Sequence, residues 1–169
     1  MITPDYVVTL SRYNGWQNRQ VIDVVGAMEE TDLRQDRGAF FGSILNTLNH
    51  ILWGDTMWLS RFSAAFDPPN GPAAEHINYT ESPRAWCSAR RAFDDQLQSW
   101  ADALSASDLV GDLTWSSGMT GQTLTLPRAL CVGHLFNHQT HHRGQVHAML
   151  TAAGQKAPVT DICFMPEDG

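Results

Sequence analysis

Apolar side chains recur at three- and four-residue steps in four long stretches of the chain, the spacing of a helix with one buried face. The first stretch carries Tyr6, Val7, Leu10, Tyr13, Trp16, Val21, Val24 and Val25. It is preceded by Thr3-Pro4, a capping hydroxyl followed by a proline suited to the first helical position. The second follows Ser43, another cap, and carries Ile44, Leu45, Leu48, Ile51, Leu52, Met57, Trp58 and Leu59. Ser82-Pro83 opens the third, which runs through Trp86, Phe93, Leu97, Trp100 and Leu104. Pro127 opens the fourth, which ends near Ala153 before Gly154, a residue type that commonly stops helices.

The segments between them read differently. Glu29 to Gly42 is a polar loop, and Asp67-Pro-Pro-Asn-Gly-Pro72 cannot be helical. Leu113, Trp115, Leu124 and Leu126 flank Ser116 to Gly121 and predict a short β-hairpin. The tail Asp161-Ile-Cys-Phe-Met165 is apolar enough to dock back on the body. These elements predict an all-α protein, one four-helix bundle domain over residues 1–169, with the hairpin between helices three and four. The connections around the third helix are long enough to cross the bundle, which permits an up-down-down-up order.

Composition narrows the functional classes. A hydrophobic content of 43% with six Trp and seven Phe suffices for one core in 169 residues. The formal charge of −7, with no run of Lys or Arg, argues against a nucleic-acid partner. Apolar runs are too short for a membrane span, and the N-terminus lacks the pattern of a signal peptide. Three scattered cysteines (Cys87, Cys131, Cys163) suit reduced thiols in the cytoplasm.

Candidate chemistry lies in the histidines. Five of the seven fall between His134 and His147. His138 and His142 are four apart, on one helix face about 40° from each other, where two imidazoles can share a divalent ion. His50 lies in the second helix and would complete a three-imidazole half-shell if the two helices pack together. The remaining positions would then be open to water or substrate. The alternative is a set of hydrogen-bonded core and rim histidines. His141 competes with His142 from the other side of His138, and His134 is a further candidate. His147 points away, and His76, in a loop, is not expected to bind the ion. Asn46, Trp53 and Gln145 could line the pocket or support the ligands, but ordinary packing or surface polarity is the favoured reading of each. Arg143 faces away from them and suits a structural or interface role.

Three sequence blocks carry a resemblance. Tyr13-Asn-Gly-Trp16 with Asn18, Leu48-Asn-His-Ile-Leu-Trp53 with Asp55, and Phe136-Asn-His-Gln-Thr-His-His-Arg-Gly-Gln145 resemble the DinB-like family, which includes the YfiT-type proteins. The resemblance implies that His50, His138 and His142 are the metal-binding histidines, with nickel or zinc as the ion. It also implies the up-down-down-up order and a homodimer. Some members of the wider superfamily use a small cofactor thiol, so the resemblance implies a thiol S-transferase acting on a small-molecule substrate.

Ligand chemistry is consistent with one divalent transition metal per chain, since imidazoles suit Zn²⁺, Ni²⁺, Co²⁺ or Cu²⁺ better than Mg²⁺ or Ca²⁺. An open site can acidify water for hydrolysis or bind a low-molecular-weight thiol as thiolate. Gln139 stands where the helical zinc proteases carry the glutamate of H-E-x-x-H, and an amide cannot take a proton. Protease-type hydrolysis is therefore disfavoured. A metal-dependent hydrolase of small esters or amides remains an alternative, as does a non-catalytic metal-binding or stress-associated bundle. Asp55 faces away from His50, and Cys131 reads as a small buried apolar residue rather than a nucleophile.

Overall fold

Thr3, Ser43 and Ser82 each accept a backbone N–H with the side chain, so three of the four long helices start where a hydroxyl satisfies a free donor. The computed structural model describes residues 2–118 and 121–167. Its helices are α1 (Pro4–Gly26), α2 (Glu30–Arg34), α3 (Ile44–Phe62), α4 (Pro83–Asp102) and α5 (Arg128–Ala152). Strands β1 (Asp112–Ser116) and β2 (Thr123–Pro127) pair antiparallel, with Trp115 opposite Leu124. The tip of the turn between them, Met119 and Thr120, lies outside the described residues.

Helix directions follow from which residues meet. Trp86 Nε1 donates to the Leu48 carbonyl, Arg90 pairs with Asp55, and Trp100 stacks on Phe62. Residue numbers rise together along both helices, so α3 and α4 run parallel. Arg128 reaches the Phe62 carbonyl at one end of α5, while His138 meets His50 further along, so α3 and α5 are antiparallel. Tyr6 packs on Phe136, and Asn14 meets Gln139 and Arg143, which makes α1 parallel to α5. The order is up-down-down-up. Two parallel neighbours in sequence require a long return, and residues 63–82 supply it. That return runs back along α3 and includes a 3₁₀ helix at Ala73–Asn78.

The core is aliphatic at one level and aromatic at another. Val7, Leu33, Ile44, Leu45, Leu97, Val132, Leu135 and Leu150 are wholly buried. Trp58, Phe62 and Trp100 form a stack, with rings 5.9 and 5.5 Å apart, and Trp115 of the hairpin closes on its edge.

Three local expectations need correction. The loop from Glu29 to Gly42 contains α2, whose single buried residue, Leu33, is too little apolar pattern to announce a helix. Pro127 ends β2 instead of opening α5, because its extended backbone continues the strand. The tail attaches at Val159 and Thr160, whose carbonyls accept from Gln17, Gln20 and Tyr13. Ile162 and Phe164 stay exposed, so backbone hydrogen bonds hold this segment more than apolar docking does.

Candidate metal centre

Antiparallel packing of α3 on α5 sets His50 against His138 and His142. One ring nitrogen from each of the three lies within 4.8 Å of the others. His50 Nε2 and His138 Nε2 are 3.0 Å apart, and the His142 ring centroid is 4.6 Å from that of His50 and 4.5 Å from that of His138. Two imidazole nitrogens on one ion, each at ~2.1 Å, stand about 3.0 Å apart at a right angle and about 3.4 Å apart at a tetrahedral angle. The observed pair matches the right-angle value, which suits three ligands sharing one face of an ion. No Asp or Glu joins this group among the described residues.

Electrostatics keep the donors available. Burial, followed by the neighbouring imidazoles, lowers the pKa of His50 and of His138 to about 3. Burial also lowers that of His142, opposed by its bond to Gln145. Neutral rings retain the lone pair that a metal needs. Two of the three also have partners at the outer nitrogen. His142 Nδ1 is 2.8 Å from Gln145 Oε1, an acceptor only, so this nitrogen carries the proton and Nε2 is bare. His50 Nδ1 is 3.0 Å from His76 Nδ1. His138 Nδ1 is buried without a partner.

Aromatic rings wall the site. Phe41 lies over His50 with centroids 4.1 Å apart and 5.3 Å from His142. Asn46 donates to the Phe41 carbonyl at 3.1 Å, so this residue supports the wall through the backbone. Phe40 packs edge-on against Phe41 and is 83% exposed. Trp53 stands 6.0 Å from the His76 ring. The sequence reading missed Phe41; the signal was an adjacent Phe pair just before the Gly42-Ser43 start of α3.

The other histidines lie outside the three-nitrogen group, although His134 and His141 pack against its rings. His134 is exposed and packs on Trp58, and His141 is exposed beside Gln145. His147 lines a different groove, about 260 Å³, between α1 and α5. His76 is the surprise. Its loop position suggested no part in the site, yet the return connection carries it to His50.

Gln139 also differs from its sequence assignment. It is 1% exposed, accepts from Asn14 Nδ2, and touches Asp55 on the side of the helix away from the imidazoles. It belongs to a buried polar chain. Arg90 bridges Asp55 at 2.6 Å and Asp94 at 2.8 Å, Asn18 donates to Asp94, and Arg143 donates to Asn14. Burial raises the Asp55 carboxyl to about 6 against the opposing pull of Arg90. This chain joins all four long helices and turns Asp55 and Asp94 away from the imidazoles. Cys131 is buried and burial raises its thiol pKa, as suits packing.

The DinB family profile matches residues 1–168. The chain belongs to the DinB family. It is 22% identical over 157 residues to the Protein DinB of Bacillus subtilis strain 168, covering 93% of this chain and 91% of that one. A DinB-like protein from Bacillus cereus ATCC 10987 superposes with a TM-score of 0.60 at 20% identity, over 85% of this chain and 90% of that one. YfiT from Bacillus subtilis, described as a probable metal-dependent hydrolase with an unusual four-helix bundle topology, gives 0.60 at 13% identity, over 90% and 89%. At such identities these two structures speak for the fold. No helix of the described residues is long and apolar enough to cross a membrane.

Proposed function

We propose that this DinB-family protein is a metal-dependent enzyme that activates a low-molecular-weight thiol for transfer to a small electrophile. The observation that carries the reading is the cluster of three neutral, half-buried imidazoles beside an apolar wall, with no carboxylate in the group among the described residues. His50, His138 and His142 would hold one divalent transition ion, zinc or nickel by donor type. Such an ion supplies Lewis acidity that takes the proton from a thiol binding it, so the site needs no general base of its own. Gln145 orients His142 through its Nδ1–H. Phe41 shields the His50 ring from water and offers an apolar surface to the electrophile. Asp55 and Gln139 face the buried polar chain and hold the helices in place.

A second reading is hydrolysis through an acidified water, supported by the description of the YfiT structure. Metal analysis and a paired assay decide between them. Untagged protein should carry about one transition ion per chain. His50→Ala, His138→Ala or His142→Ala should each remove it, while His147→Ala should not. Metal-loaded protein should consume an electrophile such as 1-chloro-2,4-dinitrobenzene only with an added thiol such as cysteine or glutathione. Ester or amide hydrolysis at a rate indifferent to thiol would instead establish the hydrolase. Full metal retention by His50→Ala would overturn the three-histidine centre.

A further inference from the structure

We propose that His76 is a positioning residue for the metal centre, holding His50 in the tautomer whose Nε2 lone pair faces the site. The inference rests on the three-histidine reading and extends it to a residue outside the ligand group.

The parallel course of α3 and α4 makes residues 63–82 run back beside α3, and Asn49 fixes where that return lies. Asn49 Nδ2 donates to the Ile77 carbonyl at 3.0 Å, and its Oδ1 accepts from the backbone N–H and the hydroxyl of Thr80 at 3.2 and 2.7 Å. Asn49 is 1% exposed, so these bonds are shielded from water. The neighbouring residue on α3 is His50, and the neighbour of Ile77 is His76. Fixing one pair therefore brings the other together, with Nδ1 to Nδ1 at 3.0 Å.

Two nitrogens at that distance share one proton, and three imidazoles in a row (His76, His50, His138) can order their protons in only two senses. In one sense His76 donates to His50, and His50 Nε2–H donates to His138 Nε2. His138 then carries its own proton on Nδ1, a buried nitrogen with no acceptor. In the other, His138 Nε2–H donates to His50 Nε2, and His50 Nδ1–H donates to His76 Nδ1. The second sense leaves a bare lone pair on the buried Nδ1, and a buried acceptor without a partner is tolerated better than a buried donor. It also leaves the His50 Nε2 lone pair bare before any ion arrives, and His138 Nε2 gives up its proton when the ion binds. A hydrogen-bonded outer nitrogen is how metal-binding imidazoles are held in orientation and tautomer. His76 does this for His50, as Gln145 does for His142.

Three variants separate the hydrogen bond from simple packing. His76→Phe keeps a ring between Phe41 and Trp53 but accepts nothing, His76→Ala removes both, and His76→Asn restores an acceptor close to the position of Nδ1. Zinc affinity would be measured by chelator competition. The His50 tautomer would be read in metal-free protein from ring ¹⁵N–¹H correlation spectra. Expected are His50 as Nδ1–H in the unmodified protein, a shift toward Nε2–H in the Phe and Ala variants, and a ten- to hundredfold loss of zinc affinity in both. His76→Asn should recover most of that loss. Circular dichroism would verify the helices in each variant. An unchanged His50 tautomer in His76→Phe would overturn the proposal, as would zinc affinity equal to that of the unmodified protein in all three. Absence of zinc binding with the Nδ1–H tautomer present would refute the metal reading while leaving the hold of His76 on His50 intact.

Discussion

The His138 ring lies on Gly54: a Cβ added at residue 54 would stand 3.1 Å from His138 Cε1. Glycine inside a helix is usually a loss of roughly 0.5–1 kcal/mol relative to alanine. Here it makes room for a ligand ring between α3 and α5. Gly54→Ala should therefore leave the melting temperature of the metal-free protein within a few degrees of the original, while lowering zinc affinity about tenfold or more. Calorimetry and chelator competition on the same samples would measure the two effects. Unchanged affinity would mean that the ring can move aside without leaving the site.

Acidification should weaken the metal-free fold in a defined window. His50 and His138 titrate at about 3 in the folded protein, against 6.5 for an ordinary histidine. Between those values the unfolded chain holds protons that the folded protein does not, so stability falls as pH drops from 6.5 toward 3. Asp55 works the other way, because its carboxyl is raised from 3.8 to about 6 and the folded form takes the proton first. Burial raises Asp94 as well, and it lowers His142, His134 and His76 along with the first two, so the histidines outnumber the carboxylates. Denaturant unfolding between pH 6 and pH 4.5 should show net proton uptake on unfolding, and His138→Asn should flatten the slope. Stability that rises on acidification throughout that range would contradict the assignment.

Gln139→Glu should not create a catalytic base. Its side chain lies beside Asp55 and Asn14, so the substitution would bury a second carboxylate next to the first. Destabilisation of about 3–5 kcal/mol is expected, the usual scale for an uncompensated buried charge. Unfolding at neutral pH would show the loss, and the metal-loaded variant should gain no ester hydrolysis. A variant as stable as the original, with new hydrolysis, would mean that Gln139 faces the ion after all.

Helix boundaries were legible because they depend on nearby atoms. Thr3, Ser43 and Ser82 cap their own helices, and apolar spacing marks the buried face whatever it packs against. The i,i+4 pair of His138 and His142 is local in the same way. His50 could be suspected from its helix, but its meeting with that pair depends on α3 being antiparallel to α5.

What the sequence determined by itself was therefore the four long helices, the hairpin and the face each helix would bury. The tertiary structure decided what meets across those faces. Gln139 and His138 are adjacent in the chain, yet a step of about 100° around the helix turns one into the buried polar chain and leaves the other in the imidazole cluster. His76 reaches His50 only because two consecutive long helices run parallel, which forces the chain between them to travel back along α3. Nothing in the residues around His76 encodes that path; it follows from burying four apolar faces together.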